Sequence, residues 1–405
     1  MTGDDSGLST VPWRSSVLYV ILASSLVGVM GVSLISPLLP DLRGVFGISD
    51  AQVGLVITVY TLPGVFLAPF VGYVADRFGR RRVIVPLLVI FGVAGAAIAF
   101  VETFRAVLAF RFVQGIGASA LVTLAVTLIG DIYDGSQRNA IMGLNGSVIG
   151  VGAAFYPVIG GALATIRWSL PFLFFGVSVG IGVVALYALR GLDIGASAGF
   201  REYAGQMSEV VVHPSALAAF AAVFSAIFVF YGAVLTALPL LMSDEFGLTS
   251  DQIGLLLAMT AVANAATASQ YGRIAEWRSA PELIAIGFLA YGGSLLGLRF
   301  APSPAFAGAS LLLFGIGFGI VFPSADTTMV TLVPDRLRAG VMGVRTSAIR
   351  LGQTIGPATF TFAAERFFVT TAGGYRAQML FFGACSVFAG VVGYAVLRRR
   401  LDAST

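Results

Sequence analysis

Twelve apolar runs, each close to the length of one bilayer crossing, recur along this 405-residue chain. They cover roughly 17–39, 50–74, 83–100, 104–129, 137–164, 169–190, 214–242, 250–274, 281–299, 304–331, 338–363 and 376–397. A helix rising about 1.5 Å per residue needs about 20 residues to cross a hydrocarbon core of ~30 Å. No water reaches peptide groups there, so each run must satisfy its own N–H and C=O groups, which makes each a helix. The alternating ten-residue strands of a membrane barrel are absent. Residues are 57% hydrophobic and 11% charged, with a mean hydropathy of +0.92, too apolar for a water-soluble body of this length. The first run is no cleavable leader: it is too long, ends on Pro37 and Pro40, and has only Arg14 before it. Residues 1–14 are polar and read as a loose tail.

The two halves echo each other at one offset of 200 residues. Gln52-Val-Gly-Leu returns as Gln252-Ile-Gly-Leu, and Gly115-Ile-Gly as Gly315-Ile-Gly. Arg138 with Met142-Gly143 returns as Arg338 with Met342-Gly343, and Pro157 as Pro357. One register for all four requires matched lengths of span and loop. The chain therefore reads as a bundle of six helices over 15–190, a connector over 191–213, a second such bundle over 214–397 and a tail over 398–405. Two similar bundles leave a natural cleft between them.

All 24 basic residues are arginine, and there is one histidine, His213, and one cysteine, Cys385. This excludes a phosphate-loop lysine, a Schiff-base lysine, an internal disulfide and a His/Cys metal cluster, so no metal or cofactor is expected. With an even number of spans both termini share one side. Fifteen arginines fall there, six fall opposite (Arg43, Arg105, Arg167, Arg299, Arg366 and Arg376), and Arg111, Arg345 and Arg350 stay inside spans. That bias puts the termini and connector in the cytoplasm. It also accounts for the net charge of +4 without a nucleic-acid groove.

Between the second and third runs stands Gly72-Tyr-Val-Ala-Asp76-Arg77-Phe-Gly79-Arg80-Arg81-Arg82. Gly72 admits a neighbouring helix, Gly79 supplies a turn, Asp76 suits a helix N-terminus, and the arginines suit carboxylates or lipid phosphates. This stretch resembles the signature loop of the major facilitator superfamily, with Val74 where the family has leucine. The resemblance implies an all-α membrane transporter of twelve transmembrane helices in two pseudo-symmetric six-helix bundles. It implies that Gly72, Asp76, Arg77, Gly79 and Arg80 act as a conformational clamp. Asp76 would meet the start of the eleventh helix, and Arg80 would pair with Asp131 at the end of the fourth. In the second half only Gly272-Arg-Ile-Ala-Glu276 remains, so the clamp is expected to be asymmetric.

Arg111 lies about seven residues, roughly 10 Å, inside the fourth span, where a charge needs water or a partner. Gln114 is one turn away on the same face. Arg111-Phe-Val-Gln114-Gly115-Ile-Gly117 resembles a motif of proton-coupled members of the same family, which implies a role in coupling. The alternative is an arginine snorkelling to the headgroups. The fifth span carries Gly146, Gly150, Gly152, Tyr156-Pro157 and Gly160-Gly161, small residues for close packing and a proline for a bend. It resembles the family's antiporter motif, with Tyr156 in place of glycine, and so implies export. Gly356 and Pro357 stand in the corresponding part of the eleventh span. The sequon Asn145-Gly-Ser147 lies inside a span and is expected to be inert.

In the second half Asp326 and Arg345 lie roughly 10–12 Å inside consecutive antiparallel helices and are placed to pair, while Arg350 lies about 18 Å deep. Arg345 and Arg350 occupy the positions of Asn145 and Gly150. Asp326 is a candidate for proton or anion coupling, a structural ion pair being the alternative. Asn145, Asn264, Gln270, Tyr60 and Tyr231 are further polar candidates for the cavity or for interhelical hydrogen bonds. The first span has no ionisable side chain between Tyr19 and Pro40, and Asp41 marks an outer rim. Two patterns are set aside: Gly195-Ala-Ser197-Ala-Gly199 has no strand before it, and the glycines around Gly115 lie within a helix.

The expected protein is a multi-pass transporter, functional as a monomer in the inner membrane of a prokaryotic cell, working by alternating access. Its partners are a small-molecule substrate and the lipid bilayer, with no nucleic acid. Proton-coupled efflux of a small organic, drug-like compound is the leading expectation, with the proton gradient as energy source. Import or facilitated diffusion of a small metabolite, an anion included, is the alternative. A non-transporting membrane sensor is a remote one.

Overall fold

A computed structural model describes residues 11–191, 214–331 and 338–402. The first ten residues of the expected tail, the connector from 192 to 213 with His213 and Ser197, the turn at Pro334-Asp335-Arg336, and residues 403–405 lie outside the described residues.

All regular structure among the described residues is helical. Eleven helices there are long and apolar enough to cross a membrane, from Ser16–Phe46 to Thr371–Ala395. A twelfth long helix, Arg338–Phe367, takes the eleventh place in chain order. Its 30 residues suffice in length, but Arg345, Arg350 and Gln353 make it more polar than the rest. Several helices run past their apolar runs. The second is Asp50–Phe78 and the fifth Gly135–Ile166, because the backbone ladder continues through polar residues once it leaves the hydrocarbon.

Among the described residues several spans are interrupted, as hydropathy alone does not reveal. The first stops at Ser33 and resumes through a 3-10 turn, Ser36–Leu38, into Leu39–Phe46; Pro37 has no N–H to continue the ladder. The fourth breaks between Phe104–Ala118 and Leu121–Ile132, and the sixth between Leu170–Phe174 and Val177–Ala188. The seventh carries an eight-residue π segment, Phe230–Ala237, in which Thr236 Oγ1 donates to Tyr231 O at 2.7 Å. Such widened turns cluster at functional sites.

The repeat acquires a physical meaning at the helix starts. Ser49 and Thr249 precede the second and eighth helices, and in each Gln52 or Gln252 returns a hydrogen bond to the capping residue's N–H, at 3.0 and 3.1 Å. Each is a reciprocal cap that satisfies donors an isolated helix end leaves bare. Just upstream, Gly47 (φ 59°) and Gly247 (φ 62°) end the preceding helices in the left-handed conformation that a β-carbon disfavours.

The chain divides into two compact units. Unit 1 holds Met1–Ser33, Val59–Ala153 and Ser169–Gly199; unit 2 holds Leu34–Thr58, Ala154–Trp168 and Phe200–Thr405. Unit 2 thus contains pieces of both sequence halves, and it packs them in a crossed pattern. A β-carbon at Gly54 of the second helix would collide with Thr361 of the eleventh. One at Gly161 of the fifth would strike the Ser250 carbonyl at the start of the eighth, and one at Gly254 of the eighth would strike the Pro157 carbonyl. Positions 54 and 361 become 254 and 161 under the 200-residue shift, so the two crossings pair corresponding helices, in a shifted register.

Candidate functional site

In unit 1 the loop after the second helix is a single residue. Gly79, at φ 91° and ψ 139°, separates Phe78 from Arg80, the first residue of the third helix. That conformation belongs to glycine and turns the chain in one step. Arg80 is 4% exposed, and its Nε donates to Asp131 Oδ2 at 3.0 Å, tying the third helix to the end of the fourth. The Arg77 guanidinium lies 5.8 Å over the Phe78 ring. Gly72 and Asp76 lie in the last turns of the second helix, and the Asp76 side chain is outside the described residues.

Arg111 is fully buried. Its Nη1 donates to Gln114 Oε1 at 2.8 Å, its Nη2 donates to the Gly31 carbonyl at 2.9 Å, and its guanidinium lies 4.3 Å over the Tyr60 ring. The contact requires glycine at 31, where a β-carbon would occupy the place of the Tyr60 hydroxyl. Arg111 therefore joins the first, second and fourth helices and does not reach toward headgroups. Gly31 is the last turn before the first-helix break, so the arginine satisfies a carbonyl the break leaves without its helical partner.

Asn145, 3% exposed, keeps Oδ1 without a hydrogen-bond partner, as Gln114 does Nε2. Among the expected packing residues, Gly161, Pro157 and Gly356 meet other helices, Gly356 against the Phe228 carbonyl of the seventh. Gly146 does not: a β-carbon there meets nothing. Gly150 is half-buried, and Pro357 is buried inside the eleventh helix.

In unit 2 Arg345 holds Asp326 with both Nε and Nη2, the latter at 2.9 Å. The same guanidinium lies 5.4 Å over Phe322. One turn deeper Arg350 Nη1 donates to Gln353 Oε1 at 3.2 Å, and Gln353 Nε2 donates to the Tyr231 hydroxyl at 2.9 Å. Asn264 is half-buried on the eighth helix, where Gly315 and Gly319 of the tenth approach its backbone. Gln270 is exposed and accepts from Arg273 at 3.0 Å.

A polar cluster in unit 2 escaped the sequence reading. Asp50, at the start of the second helix, is 5% exposed and accepts from Arg43 Nη1 at 2.7 Å and from the Tyr375 hydroxyl at 2.8 Å. Arg43 also grips Asp244 with both terminal nitrogens. Around this hub Ser250 Oγ meets Asp41, Ala51 N donates to Glu365 at 2.8 Å, and Arg376 pairs with Glu245. All of these contacts except Arg43–Asp50 and Arg376–Glu245 join the two sequence halves. The available signal was that Arg43, Asp50, Asp244 and Tyr375 all fall within a few residues of a span end on one side.

The profile of the Major Facilitator Superfamily matches residues 21–357 and, again, 218–404. The bacillibactin exporter of Bacillus subtilis (strain 168) is 34% identical over 154 residues, 36% of this chain and 38% of that protein. The multidrug transporter protein MdtP of the same organism is 32% identical over 138 residues, 34% of this chain. The chain thus spans 38% and 25% of the lengths of these two relatives. The crystal structure of a bacterial homolog to the human lysosomal transporter Spinster, inward-facing and unoccupied, superposes with a TM-score of 0.79 at 18% identity, covering 98% of each chain.

Proposed function

The chain belongs to the major facilitator superfamily, and we propose that it exports a small organic compound by proton-coupled alternating access. It is a multi-pass membrane transporter with the twelve-helix fold of that family, and not an enzyme. Its substrate is a small molecule and its surroundings are the lipid bilayer. The two relatives above are an exporter and a multidrug transporter by name, which supports the outward direction.

The observation that carries the reading is the hub at Asp50. Its polar side chains draw the first, second, seventh and twelfth helices together, and glycines seat the second helix on the eleventh and the fifth on the eighth. The arginine bias assigns that hub to the exterior, with both termini in the cytoplasm. A seal held by a few hydrogen bonds and ion pairs between sequence halves is one that a rocking motion can break and remake. The loop around Gly79, with its Arg80–Asp131 pair, occupies the opposite end of the second helix and is the natural counterpart for the other half-cycle. Asp326 supplies the carboxylate for coupling, and Arg111 holds the first helix at its break.

Inside-out vesicles with an imposed pH gradient test this. Substrate uptake should require the gradient, and Asp326→Asn should uncouple the two. If gradient-driven exchange persists unchanged in both Asp326→Asn and Arg111→Ala, the coupling assignment is wrong.

A further inference from the structure

The carboxylates at the outer helix ends of unit 2 meet partners of two kinds. Asp50 and Asp244 share Arg43, Glu245 takes Arg376, and Glu365 takes the Ala51 N–H. Each of those donors keeps its carboxylate charged. Asp251 is exposed, in the first turn of the eighth helix. Asp41 is half-buried, and its carboxyl meets the Ser250 hydroxyl at 2.5 Å. That hydroxyl is buried and also lies 2.9 Å from the Pro37 carbonyl oxygen. A hydroxyl has one proton and a carbonyl has none. With the Ser250 proton on Pro37, the contact to Asp41 is a hydrogen bond only when the carboxyl brings a proton of its own.

The charged groups around Asp41 do not hold it as an anion. Arg43, two residues on, turns its terminal nitrogens to Asp50 and Asp244. The seventh helix ends with Asp244 and Glu245, the second starts on Asp50, and the eighth carries Asp251 in its first turn. All of these are acidic, and like charges disfavour a further ionised carboxyl. The fifth helix lays Gly160 and Gly161 against the Leu34 and Ser250 carbonyls, and its one charge within unit 2, Arg167, is exposed. The N-terminus of Asp41's own short helix, Leu39–Phe46, favours the anion but brings no charged group.

We infer that Asp41 is a proton site open to the exterior, and that its proton locks the outer seal. In the closed arrangement the protonated carboxyl donates to Ser250 and Ser250 donates to Pro37, which ties the first helix at its break to the start of the eighth. Opening parts Asp41 from Ser250 and leaves it in external water, to which it gives up the proton. Closing takes one proton back from that water. The closed form therefore binds one proton more than the open form, and acid favours closure. For an exporter, closure of the outer side is the step from release back toward loading. The inference rests on the reading of the Asp50 hub as an outer seal and adds to it a proton site separate from Asp326.

Infrared spectroscopy and a distance measurement on the full-length purified protein, with no gradient imposed, test it. Making the medium alkaline should abolish a protonated-carboxyl C=O band. Asp41→Asn should lack that band, and Ser250→Ala should shift its frequency as the hydrogen bond is lost. Spin labels at Val45→Cys and Val369→Cys, with Cys385 replaced, report the seal, since both sites are exposed and belong to opposite sequence halves. Acid should raise the closed-to-open ratio by up to about tenfold per pH unit, as binding of one proton requires, and Asp41→Asn should make the ratio independent of pH. Should Asp41→Asn fail to fold, Ser250→Ala carries the test, with a smaller closed fraction in acid than wild type. Absence of a band that depends on Asp41, or a pH dependence undiminished in Asp41→Asn, would overturn the inference; gradient-driven export alongside that result would leave the transport reading standing. A band and a ratio that depend on Asp41, without gradient-driven export in vesicles, would uphold the inference and remove the export reading.

Discussion

Tyr375 donates its hydroxyl proton to Asp50 at 2.8 Å, although 325 residues of chain separate them. The carboxylate receives Arg43 from its own sequence half and Tyr375 from the other, so it is a joint between the two as much as an ion-pair partner.

Removing that hydroxyl isolates its contribution. Tyr375→Phe keeps the buried ring and deletes one hydrogen bond to a charged group, for an expected loss of about 1.5–3 kcal/mol of stability. Asp50→Ala should cost more, since it also strips Arg43 of one of its two carboxylates. Thermal unfolding in detergent checks both; an undiminished midpoint in Tyr375→Phe would show that the contact carries no weight.

The crossed glycine contacts make a prediction with an internal control. Gly254→Ala drives a β-carbon into the Pro157 carbonyl, and because a backbone atom cannot rotate aside, about 1–3 kcal/mol of strain is expected. Gly146→Ala meets nothing and should be neutral or up to ~1 kcal/mol stabilising, through helix propensity alone. Equal effects of the two substitutions on unfolding would refute the packing assignment.

A cross-link should arrest turnover at the symmetry-related contact. A β-carbon at position 54 stands 3.1 Å from that of Thr361, so paired cysteines there need only a small adjustment to reach disulfide geometry. With Cys385 replaced, oxidised Gly54→Cys/Thr361→Cys protein should lose most of its transport and regain it on reduction. Full transport in the oxidised form would mean that this contact never opens.

Arg111 should not tolerate lysine. An ammonium cannot span Gln114 and the Gly31 carbonyl while lying flat on Tyr60, so Arg111→Lys leaves a buried charge poorly satisfied, at about 3 kcal/mol or more. Expression yield and unfolding midpoint report it; wild-type values would return Arg111 to the status of a snorkelling residue.

Much of this architecture was legible because membrane physics leaves few options. Hydropathy located the spans, and the 200-residue register announced two related halves. Its recurring Gln52 and Gln252 prove to be the capping residues of the second and eighth helices. Arg345 with Asp326 could be matched from depth, since a charge in a span must meet another on an adjacent helix, whereas Arg80 with Asp131 was implied by the resemblance of its loop to the family signature. The breaks in the first, fourth, sixth and seventh helices were not legible. They depend on which carbonyls find outside partners, as Gly31 finds Arg111 and Leu235 finds Ser36, and no window average carries that. The Asp50 hub was missed for a related reason: its members sit at span ends, where charges look like ordinary water-facing residues until the fold buries them.

The crossings at Gly161 and Gly254 rest on peptide backbone, and backbone is the same in every residue. Mutation elsewhere leaves such a bearing untouched so long as those two sites lack a β-carbon. A contact with a side chain, such as Gly54 against Thr361, has no such protection, so the two crossings tolerate change around them better than change at them.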